Sequence, residues 1–308
     1  KGSLSLSGML CIVLLASEFF LPLRLLGSYF HIAMNGMAAS DKIFSILDLP
    51  EPEDGEKTLP AGPLDVALQD VHFSYEADRE ILKGIDLCLS AGSFVSLVGG
   101  SGCGKSTVAG ILGGRNRGYS GSVTVGGIPL SQVREEELMK RVVLVRSNSY
   151  LFKGTVEENL KMAKPDATKE EMETVLQKVN LLGFLETQDG LQTQLLEKAA
   201  NLSGGQCQRL AIARALLRRE ASVYIFDEAA SNIDVESEAL IMEVIHELAK
   251  TKTVLLISHR LANVVQSDKI YFLRGGEIQE SGTHEALMEA QGAYSRLFDS
   301  QMALERYG

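Results

Sequence analysis

Tryptophan is absent from the 308 residues, and cysteine occurs only four times. The missing tryptophan carries no functional reading. The four cysteines, Cys11, Cys88, Cys103 and Cys207, lie far apart and form no C-x-x-C pair. That spacing speaks against a disulfide framework and a zinc site, and it makes a reducing compartment the default. Basic residues are also in deficit, with 30 Lys and Arg against 40 Asp and Glu and a formal charge of −10. A nucleic-acid binder needs cationic excess to neutralise phosphates, so no nucleic acid is expected as a partner. A nucleotide stays open, because backbone N–H groups and one lysine can hold its phosphates.

Charge is missing altogether from Ser3 to Ser17, a run rich in Leu, Ile and Val. Phe19, Phe20, Leu21, Leu23, Leu25 and Leu26 continue it, interrupted by Glu18, Pro22 and Arg24. A spanning helix wants about 20 mostly apolar residues. The run reaches that length if Glu18 and Arg24 face protein or a wet cavity. A signal peptide fits poorly, since no small-residue cleavage site follows a short apolar core. The rival is a buried helix of a soluble domain. Ile32 to Leu49 is helical in pattern, through Ile32, Met37, Ile43, Phe44 and Leu47. Residues 50–63, acidic and with proline and glycine, read as a linker. The chain begins at Lys1 rather than Met, as a piece of something longer would.

From Leu64 the periodicity changes. Val66–Tyr75, Gly84–Leu89, Phe94–Val98, Ser122–Val125 and Val142–Val145 are expected strands. Thr155–Leu217 is expected to be largely helical. Val223–Phe226 and Thr253–Ile257 are short β-branched runs of the kind found in buried parallel strands. Ile270–Leu273 and Glu277–Glu280 suggest a hairpin across Gly275-Gly276, and two helices follow. Such alternation predicts an α/β layer with a helical insertion.

Gly99-Gly100-Ser101-Gly102-Cys103-Gly104-Lys105-Ser106-Thr107 matches G-x-x-x-x-G-K-[ST], between an expected strand and a helix. There, glycines let backbone N–H groups wrap phosphates, Lys105 adds a point charge and the Ser106 hydroxyl is a hard-oxygen ligand for Mg²⁺. ATP and Mg²⁺ are therefore the expected cofactors. A second apolar strand, Val223-Tyr224-Ile225-Phe226, ends in Asp227-Glu228. Asp227 is placed to hold Mg²⁺, and Glu228 to orient or deprotonate the attacking water.

Leu202-Ser203-Gly204-Gly205-Gln206, lying between the P-loop and Asp227-Glu228, resembles the signature of the ATP-binding cassette (ABC) family. The resemblance covers the chain from about Leu64 onward. It implies a P-loop NTPase of ABC type over residues 64–308, with a RecA-like core, an antiparallel β subdomain and a helical subdomain near 153–220. It also implies two cassettes closing on two ATP molecules, so that residues 202–206 contact the γ-phosphate bound by the partner subunit. A helix N-terminus carrying two glycines suits that anion. The same resemblance assigns Tyr75 to adenine stacking, Asp234 in Ser231-Asn232-Ile233-Asp234 to a dimer-contact loop, and His259 to a γ-phosphate switch beside Glu228 and Lys105 as catalytic residues.

The sequence departs from the family in two places. Ser147 stands where a glutamine usually helps ligate Mg²⁺, and either a contact through bridging water or none remains open. Leu196-Glu197-Lys198-Ala199 keeps only the acid of the usual Gly-Glu-x-Gly. Cys103 and Cys207 read as small fillers, although a thiol near a helix start can be acidified.

Glu18–His31 and Met34–Phe44 resemble the last transmembrane helix and cytoplasmic extension of bacterial exporters. They are most similar to the CydD-type subunit of the thiol (cysteine/glutathione) exporter linked to cytochrome bd assembly. That resemblance implies membrane lipid around residues 1–34 and a spanning helix with its extension over 1–49. It further implies location in the bacterial cytoplasmic membrane with a cytoplasmic ATPase domain, a small-molecule substrate, and a second ABC subunit, CydC-like or identical, as partner. Rival readings are a soluble cassette ATPase and a regulatory, weakly hydrolysing subunit.

Overall fold

The structure, a computed structural model, describes residues 5–49, 54–76, 78–231 and 233–307. The start of the uncharged run, the first residues of the expected linker from Pro50 to Glu53, and Asn232 of the expected dimer loop lie outside the described residues. The chain divides into two units, Lys1–Glu53 and Asp54–Gly308.

The first unit is one helix, α1 (Leu6–Leu47), of 42 residues. Ser5 caps it, accepting from the Gly8 amide at 3.2 Å. Pro22, which interrupts the apolar run in the sequence, lies inside the helix. A proline removes one N–H from the ladder and disturbs one turn, a local cost that a helix this long absorbs. None of its described residues is buried, and Leu10, Val13, Phe19, Phe20, Leu26 and Phe30 are all exposed. At about 1.5 Å per residue the helix is long enough to cross roughly 30 Å of hydrocarbon and continue beyond it.

The second unit opens with strands β1 (Val66–Glu76), β2 (Arg79–Leu89) and β3 (Phe94–Gly99), then helix α2 (Lys105–Leu112). Next come β4 (Ser120–Val125), β5 (Ile128–Pro129), α3 (Glu135–Arg141) and β6 (Val142–Arg146). The insertion holds β7 (Gly154–Thr155), α4 (Val156–Lys161), α5 (Lys169–Lys178), α6 (Leu182–Glu186), β8 (Gln194–Leu195) and α7 (Gly204–Leu216). The chain continues with β9 (Val223–Asp227), α8 (Val235–Ala249), β10 (Thr253–Ile257), β11 (Lys269–Arg274), β12 (Glu277–Gly282), α9 (His284–Glu289) and α10 (Ala293–Tyr307).

Two sheets organise these elements. The larger has the order β12-β11-β3-β10-β9-β6, parallel except for the β11–β12 hairpin. The smaller, β2-β1-β4-β5, is antiparallel. Alternate residues of each central strand serve opposite cores, because side chains alternate across a sheet. Leu97, Ile225, Leu255 and Ile257 pack with α2 and the antiparallel sheet. Val98, Tyr224, Phe226, Val254 and Leu256 pack with the helical insertion and α8.

Two elements of the insertion and its approach differ from the expectation of helix. β7 and β8 pair antiparallel, and residues 197–199 make a tight turn whose backbone leaves the helical region at Lys198. Two-residue strands are too short to show periodicity, so only tertiary pairing reveals them. Residues 54–63 are held against this unit. Leu59 is buried, the Lys57 amide donates to the Gln132 carbonyl at 2.8 Å, and Asp54 Oδ1 accepts from the Glu135 amide at 2.7 Å.

Candidate functional site

All six residues of β3 are buried, which fixes where the loop after it starts. The loop turns sharply at two glycines. Gly99 has φ +151, and a Cβ there would lie 2.1 Å from the Leu273 carbonyl oxygen. Gly104, at φ +113, caps α2, and a Cβ there would meet Leu82 Cδ2 at 2.6 Å. Residues 99–107 thus close into a loop ending at a helix N-terminus, an anion-binding arrangement. Lys105 is only 5 % exposed, and its ammonium donates to the carbonyls of Gly99 (3.0 Å) and Gly100 (2.9 Å). The loop's own oxygens satisfy a charge that burial would otherwise penalise.

The strand β9 delivers Asp227 to the same place. Ser106 Oγ donates to Asp227 Oδ1 at 2.9 Å, and Arg146 Nε lies 3.7 Å from Oδ2. Burial pushes the Asp227 carboxyl above its ordinary range, while the Ser106 hydrogen bond and the Arg146 charge oppose it. A desolvated carboxylate beside a hydroxyl offers two hard oxygens, and a divalent cation would relieve that burial. The donor set fits Mg²⁺.

Glu228 follows in the left-handed region, at φ +53, with its amide donating to the Ile257 carbonyl at 2.9 Å. This turn sends its side chain away from the strand line toward His259, whose Nδ1 is 4.0 Å from Glu228 Oε1. The Ser147 amide donates to the Asp227 carbonyl at 3.1 Å, and the Ser147 residue itself is exposed. Tyr75 is 64 % exposed, edge-on to Phe73, with its hydroxyl 3.4 Å from Thr107 Oγ1. An aromatic face is thereby presented beside the loop.

The segment Leu202–Gln206 behaves differently. Ser203 and Gln206 form a capping box at the start of α7, with bonds of 2.9 and 3.2 Å. Gly205 is needed for close approach, since a Cβ there would lie 2.3 Å from Ser237 Oγ and 3.2 Å from Asp234 Oδ2. Asp234 caps α8, and the Ser237 amide that it accepts at 2.8 Å holds its carboxyl below the usual range. Among the described residues, no hydrogen bond or ion pair joins Ser203–Gln206 to Lys105, Ser106, Asp227, Glu228 or His259. Just before it, Lys198 (φ +56) and Ala199 (φ +54) both adopt the left-handed backbone that favours glycine. Burial raises the Cys207 thiol, which argues against an acidified cysteine at this helix start.

Three neighbours escaped sequence reasoning. Asn116 Nδ2 donates to the Tyr75 hydroxyl at 3.1 Å, Arg146 faces Asp227, and Gln208 Nε2 donates to the Arg146 carbonyl at 3.0 Å.

Comparison with known proteins adds the following. A family model described as ABC transporter matches residues 82–231. That span includes Gly99–Thr107, Leu202–Gln206, Asp227 and Glu228, while Tyr75, Asp234 and His259 fall outside it. An uncharacterized ABC transporter ATP-binding protein of Haemophilus influenzae is 48 % identical over 308 residues, covering 99 % of this chain and 55 % of the relative. An ATP-dependent lipid A-core flippase of Chromobacterium violaceum is 37 % identical over 287 residues, covering 92 % and 49 %. A solved structure of a bacterial Atm1-family ABC exporter with ATP bound superposes with a TM-score of 0.79 at 30 % identity, covering 92 % of this chain and 50 % of that one. The chain spans about half the length of the curated relatives it matches.

Proposed function

From the premise that this chain carries an ABC transporter ATPase domain, homologous to lipid A-core flippases and to Atm1-family exporters, we propose that it is the ATP-hydrolysing part of a membrane exporter subunit. The observation that carries this reading is a continuous chain of contacts: Lys105 on the loop carbonyls, Ser106 on Asp227 at the end of β9, and the next residue, Glu228, 4.0 Å from His259. Lys105, held by the Gly99 and Gly100 carbonyls, supplies its charge to the β- and γ-phosphates. The amides of residues 99–107 cradle those phosphates, and Tyr75 stacks on adenine. Ser106 and Asp227 hold Mg²⁺, which offsets phosphate charge when bound. Glu228 takes the proton of the attacking water, and His259 holds the γ-phosphate.

Among the described residues, the absence of a hydrogen bond or ion pair between Ser203–Gln206 and this cluster supports a composite site. The α7 N-terminus of one subunit serves the nucleotide of a second cassette subunit, with Asp234 at the contact between them. The exposed apolar face of α1 supports a spanning helix followed by a cytoplasmic extension, with residues 50–63 leading into the ATPase domain over 64–308. The location that follows is the bacterial cytoplasmic membrane.

The cargo reading changes. The thiol expected from the N-terminal resemblance, and with it a CydC-like partner, draws no support from the relatives, whose flippases are named for lipid A-core. An amphiphile is the cargo we propose. The test is ATPase activity of the full-length protein in proteoliposomes. Addition of a lipid A-type amphiphile is expected to stimulate turnover severalfold. Stimulation by cysteine or glutathione instead would restore the thiol reading. Purification of the full-length protein as a soluble monomer without detergent would overturn the membrane assignment.

Ser147 reaches less far than the usual glutamine and brings no amide N–H₂. We expect it to touch Mg²⁺ only through water, a modest handicap because Mg²⁺ keeps several waters in phosphate sites. In a magnesium titration of initial rates, Ser147→Gln should lower the Mg²⁺ needed for half-maximal turnover, and Ser147→Ala should match the parent. Abolished hydrolysis in Ser147→Ala would make Ser147 a direct ligand.

A further inference from the structure

The turn that carries His259 has left the sheet. β10 ends at Ile257, so the backbone groups after it have no strand ladder to satisfy them. Three side chains brace the turn instead, two of them through its backbone and Glu238 through side chains. Ser258 Oγ accepts from the Arg260 amide and donates to the Arg260 carbonyl, both at 3.0 Å. Glu238, buried on α8, pairs with the Arg260 guanidinium and accepts from Asn263 Nδ2 at 2.8 Å. The third is Gln301 on α10, forty-two residues further along the chain. Its Nε2 donates to the His259 carbonyl at 2.6 Å, and its Oε1 accepts from the Leu261 amide at 2.9 Å.

This two-point grip is what a neighbouring β-strand would provide. An amide side chain has one donor end and one acceptor end, and here it meets the C=O of one residue and the N–H of the residue two further on. The peptide units on both sides of Arg260 are therefore pinned, and with them the direction in which the His259 side chain leaves the chain. Gln301 is itself well anchored. Tyr294 is fully buried, and Leu297 and Phe298 pack against the same core. Residues 294, 297, 298 and 301 follow the i, i+3, i+4, i+7 spacing, which places Gln301 on the packed face of α10.

We propose that Gln301 is a positioning residue for His259: its amide clamps the backbone of the 258–261 turn so that the imidazole stays aimed at the Glu228 side of the nucleotide site. The inference rests on the proposed role of His259. It assigns α10 a part in hydrolysis, although α10 contributes no group to the phosphates.

The test is a double-mutant cycle on the full-length protein in proteoliposomes, with kcat and KM for ATP read separately. Gln301→Ala is expected to lower kcat by roughly 10- to 100-fold, the scale of a small misplacement of a catalytic group, with KM for ATP nearly unchanged. Gln301→Glu keeps the acceptor for Leu261 and loses the donor to His259, so it should fall between the parent and Gln301→Ala. In a His259→Ala background, Gln301→Ala should cost nothing further. A parental kcat in Gln301→Ala, with His259→Ala impaired, would overturn this inference alone. A Gln301→Ala loss that persists in full in the His259→Ala background would also overturn it, since the residue would then act by another route. Unchanged turnover in His259→Ala would remove the role of His259 and the inference with it.

Discussion

Glu228→Gln leaves ATP binding intact and lowers turnover by about 10²- to 10⁴-fold, the usual scale for losing a general base. An amide cannot take the proton of the attacking water. It does preserve the size of the side chain, so the left-handed turn at φ +53 and the hydrogen bond from the residue 228 amide to the Ile257 carbonyl are kept. The variant should also accumulate a closed ATP-bound dimer, because the step that reopens the composite site is blocked. Single-turnover hydrolysis measures the first effect, and light scattering with and without ATP measures the second. Parental turnover together with a strictly monomeric ATP-bound domain would contradict both halves.

Lys105→Ala is the second large effect, and its cause is different. The ammonium is buried and already held by two loop carbonyls at 2.9–3.0 Å. It is pre-placed in a site of low dielectric, where a fixed charge interacts strongly with phosphate. Removing it leaves the amides of residues 99–107 as the principal ligands of the triphosphate. It also leaves the Gly99 and Gly100 carbonyls without their donor. Nucleotide affinity and turnover should both fall, with hydrolysis reduced at least about 10²- to 10³-fold by analogy with loss of a single preorganised donor. Equilibrium binding of a fluorescent ATP analogue and steady-state ATPase separate the two losses. Full ATPase activity in Lys105→Ala would sink the assignment of the loop.

The parts of the site that follow from local chemistry were legible in the chain. A strand, a glycine loop and a helix starting with Lys105-Ser106 can be recognised from composition and order alone. So can Asp227 at the end of an all-apolar strand. The ABC transporter match supports the reading of those segments. What stayed hidden depends on tertiary register. Nothing near Arg146 announces that it faces Asp227, because β6 and β9 pair only in the folded sheet. Nothing near Gln301 points to His259, because α10 must dock first. The left-handed backbone at Lys198 and Ala199 was not read from the sequence; the related motif's second glycine aligns with Ala199, while Lys198 stands at its variable position.

The strand order of the larger sheet also governs how the domain is made. β3, which leads into the phosphate loop, is buried at every residue and lies between β10 and β11. Both neighbours are synthesised long after it, at Thr253–Ile257 and Lys269–Arg274. At typical synthesis rates that interval is roughly 10–30 s, during which Phe94–Gly99 has neither of its hydrogen-bonding partners. The nucleotide loop therefore cannot form piecemeal as the chain emerges. Its assembly waits on long-range parallel pairing, the slow and aggregation-exposed kind. A nascent chain stalled before residue 253 would present this apolar strand unpaired on both edges, making that interval the point at which chaperone protection of the newborn domain matters most.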